Sequence, residues 1–130
     1  MEEKILLVAN DIDKGKFSET AGSRFIKYIE KNRTNYSSFY LSKKFNNVKN
    51  LEDNLKLNKY DYIFFLFDPY IFFDYKFLLK LKKKYYLIVF HADIDEHFED
   101  NYVYSSQLFD LILIDEILEV NRYRLFNYKA

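Results

Sequence analysis

The run "DYIFFLFDPY" at residues 61–70 is apolar from Ile63 to Phe67 and stops at Asp68-Pro69. A strand with one face in water alternates apolar and polar residues, whereas an unbroken apolar run belongs to a strand covered on both faces. Proline ends ladder pairing, so a strand over 61–67 is stopped by Asp68-Pro69. Blocks of the same kind recur on either side: "KILLVA" (4–9), "YSSFYLS" (36–42), "YYLIVFH" (85–91) and "FDLILID" (109–115).

The intervals between these blocks carry helical spacing. Phe17, Ala21, Phe25 and Ile29 stand four apart, the first just before and the rest within a helix expected over 18–32, with Ser18 placed to cap it. Leu51 and Leu55, with Val48, mark a short helix on a polar background. A third helix over 74–84 turns Phe77, Leu78 and Leu81 inward and ends in "KLKKK", cations that suit a helix C-terminus. "EHFEDNYVYSSQL" reads as a looser helix and "EILEVNRYRLFNY" as a final one. Strands alternating with helices predict an α/β fold, a Rossmann-like or flavodoxin-like three-layer sandwich with five parallel strands in the order 2-1-3-4-5. One domain over residues 1–130 is expected. On this reading Leu113→Asp unfolds the domain by burying an unpaired charge in the sheet.

Composition excludes several functions. Lys plus Arg and Asp plus Glu are both 20, giving a net charge of zero, which argues against a dedicated nucleic-acid binder. Cysteine is absent, which removes disulfides and thiolate metal sites. Only Gly15 and Gly22 are present, so neither a dinucleotide-binding glycine loop nor a P-loop can form, and no cofactor is expected. No apolar stretch approaches the roughly 18 residues of a membrane span. The expectation is a soluble, cytoplasmic protein.

In open parallel sheets, ligands gather outside the carboxyl ends of the strands, at the switch point of the strand order. The first, third and fourth apolar runs of central strands would deliver Asn10, Asp11 and Asp13, then Asp68, then His91, Asp93 and Asp95 to that edge. Were the fourth strand to continue through 97, His91, Asp93, Asp95 and His97 would alternate onto one face with metal-compatible donors. Nothing in the spacing demands a metal, and acidic loops also occur simply at helix N-termini. His91 has two readings: a backbone-bonded histidine at a strand end, or a general base oriented by Asp93 or Asp95. Acidic residues after strands one and three are also similar to response-regulator receivers, with Asp68 at the phosphoacceptor position and Asp11 and Asp13 as the magnesium pair. Departures from that family are His91, where a hydroxyl residue is usual, and "IDE" at the end of strand five, which lacks the lysine. The aromatic run "DPYIFFDYKF" reads as core before a stacking platform, although Tyr70, Phe72 and Phe73 follow the proline, and exposure of some of them would offer a partner surface.

Four stretches carry a further resemblance: "KILLVANDID", "YDYIFFLFDPY", "YYLIVFHADIDEHFEDNY" and "FDLILIDEILEVNRYR". Together they resemble the N-terminal, acceptor-side domain of GT-B glycosyltransferases of the CgeB-like or glycosyl transferases group 1 kind. The resemblance implies a Rossmann-like domain that shapes the site of a sugar or glycan acceptor, beside a partner domain or subunit that binds the nucleotide sugar. By position it implies His91 as the catalytic base and Asn10, Asp11, Asp13, Asp68, Asp93 and Asp95 as acceptor-binding residues, with no protein metal site. Transfer would require both halves.

Overall fold

The computed structural model describes residues 3–10, 21–32, 35–42, 47–67, 69, 73–91 and 106–114. The apolar runs form strands β1 (Ile5–Ala9), β2 (Tyr36–Tyr40), β3 (Tyr62–Phe65), β4 (Tyr86–His91) and β5 (Leu111–Ile114). All neighbours are parallel, in one five-stranded sheet of order β2-β1-β3-β4-β5. The described helices are α1 (Ala21–Asn32), α2 (Asn47–Leu57) and α3 (Tyr75–Lys82), with a 3-10 turn at Ser106–Leu108. This is the α/β architecture that the apolar runs predict. Ser18 and the segments 92–105 and 115–130 lie outside the described residues, together with most of the fourth expected helix and all of the last.

Strand order determines which face each helix covers. A parallel crossover is right-handed, so a connection stepping one way along the sheet and one stepping back lie on opposite faces. β1 to β2 steps outward, whereas β2 to β3 steps back across β1. α1 accordingly packs on one face, where Ile26 joins Leu7, Ala9, Phe64, Leu66 and Phe90. α2 and α3 pack on the other, where Leu51, Phe77, Leu78 and Leu81 meet alternate residues of the same strands, among them Leu6, Val8, Ile63 and Phe65. Period-two side chains from one continuous apolar strand thus feed both cores.

The α1 stripe is shifted from the sequence expectation. Ile26, which lies off the four-apart series, is buried together with Ser23, while Phe25 and Ile29 are only half-buried. At Phe73 the aromatic run after the proline is core, as its main reading from sequence expects. Phe73 is buried, with ring centroids 6.2 Å from Phe65 and 5.2 Å from Phe77, so it is core rather than partner surface. Tyr70 and Phe72 lie outside the described residues.

Two aspartates hold the amino ends of the strands in register. Asp61 directly precedes β3; its carboxylate accepts from the Lys4 amide at 2.9 Å while its own amide donates to the Lys4 carbonyl at 2.9 Å. Asp110 directly precedes β5 and repeats the arrangement with Leu87, at 2.8 Å and 2.9 Å. The sequence shows the repetition as "YDYIFF" and "FDLILI". An amide near the start of a strand can lack a ladder partner, and a carboxylate in the turn before the neighbouring strand supplies one. A third aspartate, Asp74, caps α3 by accepting from the Phe77 amide at 2.8 Å. Asp110→Ala leaves the buried Leu87 amide without its acceptor and is expected to cost about 1–3 kcal/mol. Asp110→Asn, which keeps an acceptor oxygen, should cost less. Urea unfolding of the pair measures the difference, and equal losses would show that the carboxylate does not act through Leu87.

Candidate functional site

The site that the topology defines is the carboxyl edge between β1 and β3. From these adjacent strands the chain leaves toward opposite faces, to α1 after β1 and to α3 after β3, so a crevice opens between the two departures. Pairing continues slightly past the strands: the Leu66 amide donates to the Val8 carbonyl, and the Leu41 amide to the Ala9 carbonyl, both at 2.9 Å. Val8 is level with Phe65, and Phe65 with Val89. Carried two residues onward, past the ends of β1 and β3, that register sets Asn10, Phe67 and His91 at one level. Adjacent strands are about 4.8 Å apart, so the backbones at Asn10 and His91 are separated by about 10 Å, a span a hydroxylated ligand can bridge.

Asn10 follows β1 and is half-buried. His91 is the last residue of β4, opposite Ile114 of β5. Asp11, Asp13, Asp68, Asp93 and Asp95 lie outside the described residues, so of the residues named from the sequence the structure brings Asn10 and the His91 backbone to one edge. Among the described residues, no group of three or more His, Asp or Glu side chains is close enough to hold a metal ion.

Phe67 belongs to this edge and is not marked by sequence pattern. It is half-buried, packs against the core beneath α2 and α3, and meets Phe65 edge-on with centroids 6.1 Å apart. Its place follows from the pairing register, which an apolar run does not display. On the β2 side, the Ser42 amide donates to the Asn47 side chain at 2.9 Å, tying the end of β2 to the start of α2. At the start of β2, burial and then the charge of Glu30 raise the Tyr36 phenol above its ordinary range.

The fold and this edge define a doubly wound, flavodoxin-ordered α/β domain. No family model, curated protein or solved structure matches the chain. Among the described residues, no helix is long and apolar enough to cross a membrane.

Proposed function

We propose that this chain is a binding domain that works at the carboxyl edge of its sheet, and that it forms the acceptor-side half of a GT-B-like glycosyl transfer. The observation that carries the reading is the adjacency of the ends of β1, β3 and β4, which sets Asn10 and His91 on either side of the strand-order switch. The glycosyltransferase part rests on the sequence resemblance. In that role His91 takes the proton from the attacking acceptor hydroxyl as its oxygen bonds to the anomeric carbon of the sugar, while the bond from that carbon to the phosphate oxygen breaks and the nucleotide leaves with the electron pair. Asn10, Asp11, Asp13, Asp68, Asp93 and Asp95 hold the remaining acceptor hydroxyls. A second domain or subunit holds the nucleotide sugar, and closure of the two halves positions the reactants and excludes water.

The test is transfer by the chain combined with its nucleotide-sugar-binding domain. His91→Ala is expected to leave the far-UV circular dichroism unchanged and to lower turnover by about 100-fold to 10,000-fold, the usual range for loss of a general base. Undiminished transfer removes His91 from the mechanism.

A second reading, a receiver-like signalling or protein-interaction module without catalysis, is favoured by the strand order, which receivers share, and by the position of Asp68 just beyond β3. Beryllofluoride with magnesium should then shift amide resonances around Asp68, whereas acceptor sugars should shift those around Asn10 and His91.

A further inference from the structure

A cleft of about 260 Å³ lies between α2 and α3, away from the carboxyl edge. α2 lines it with its C-terminal half, α3 with Phe77, Lys80 and Leu81, and the turn into β4 with Lys84 and Tyr85, so it lies toward the amino edge of the sheet. Leu55, Phe77, Leu81 and Tyr85 form its apolar wall. These side chains belong to, or pack against, the core beneath the two helices, so the wall is held from below. Lys56, Lys80 and Lys84 stand around the opening.

Neighbouring lysines have structural partners. Lys82 donates to the Gln107 carbonyl at 2.7 Å. Lys80 reaches Glu52 across the cleft at 3.7 Å with its side chain 65% exposed, a weak pair in water. The side-chain ammonium groups of Lys56 and Lys84 make no hydrogen bond or ion pair among the described residues. The helix dipole accounts for cations in a last turn. It does not account for cations from two helices meeting over one apolar wall. The chain is neutral overall, yet residues 75–84 include five lysines and no acidic residue.

The geometry points to a docking site for an acidic peptide segment of a partner protein, which seats one large apolar side chain between α2 and α3 and sets flanking carboxylates on Lys56 and Lys84. The volume favours an anchor side chain over a whole small molecule, because small-molecule pockets span roughly 300–1,000 Å³. A buried apolar anchor ringed by polar contacts is the usual energetic centre of a protein interface. A concave cleft also suits a peptide better than a lipid surface, which binds protruding apolar side chains.

The probe is a blocked pentapeptide, Glu-Asp-Phe-Glu-Asp, titrated into the 15N-labelled chain. Saturable shifts confined to amides 52–57 and 77–85 are expected, with affinity falling as salt is raised. Lys56→Glu combined with Lys84→Glu should weaken binding about tenfold or more, because both side chains are exposed and each lost attraction becomes a repulsion. Leu55→Phe, which fills the cleft and keeps the lysines, should also weaken it. The docking site is overturned by the absence of saturation at millimolar peptide, by equal binding of a peptide with lysines in place of its carboxylates, or by equal binding with alanine in place of phenylalanine. Phosphatidylserine vesicles or inorganic phosphate shifting the same amides more strongly than the peptide would overturn it in favour of a lipid surface or a simple anion. Neither Lys56 nor Lys84 belongs to the carboxyl edge, so failure here leaves the acceptor-site reading untouched.

Discussion

Phe65→Ala is expected to lower the stability of the domain by about 3–5 kcal/mol. Phe65 is fully buried in β3, the central strand. Its ring centroid lies 6.1 Å from Phe67, 6.2 Å from Phe73 and 6.1 Å from Phe109, each at a steep interplanar angle. Removing it takes away the apolar surface of the side chain and three edge-on aromatic contacts together, and the cavity is bounded by a sheet that cannot collapse inward. Domains of this size have about 5–15 kcal/mol in total, so the variant should fall near the limit of folding. The measurement is urea unfolding followed by circular dichroism, with a lower midpoint and an unchanged slope expected. A loss under about 1 kcal/mol would contradict the placement of this face of β3 against α3.

The second large effect separates two neighbours on β5. Ile112→Asp should abolish cooperative folding, while Leu113→Asp should leave a folded, destabilised domain. Ile112 is 1% exposed in the core beneath α2 and α3. A carboxylate there has no partner, and the cost of burying it exceeds what the domain can sustain. Leu113 is half-buried on the opposite face of a strand at the edge of the sheet, where a carboxylate can turn toward water. The expectation from sequence that Leu113→Asp unfolds the protein is therefore corrected in favour of Ile112. Thermal melts of the two variants decide it: a cooperative transition in Ile112→Asp, or none in Leu113→Asp, would reverse the assignment of faces.

The reason for that correction is general to this fold. In "LILI" every residue is apolar, so the sequence marks the strand without marking which face is the more deeply covered. Residue spacing in α1 was similarly ambiguous, since Phe25, Ile26 and Ile29 all fit an apolar stripe and only packing against the sheet selected Ile26 as the buried member. Pattern was decisive where it coincided with a local rule. Asp68-Pro69 marks the end of the third apolar run and the lysines of "KLKKK" mark the end of α3, whereas the Asp74 cap emerged only from the structure.

The candidate site divides in the same way. That Asn10 and His91 fall at strand ends was legible, because each follows an apolar run of strand length. That Phe67 shares their level, and that the lysines of α2 and α3 meet over one apolar wall, was not.

By itself the sequence determined the succession of strands and helices, because strand burial and helix periodicity are local properties of residue order. It also excluded glycine-loop phosphate binding, thiolate metal sites and disulfides, because those require residues the chain lacks or has too few of. The tertiary structure decided the pairing register, the face each helix covers, the aspartate clamps at the strand ends and the α2–α3 cleft. These depend on contacts between residues distant in the chain, and the energies that select among them arise only when whole surfaces are packed together.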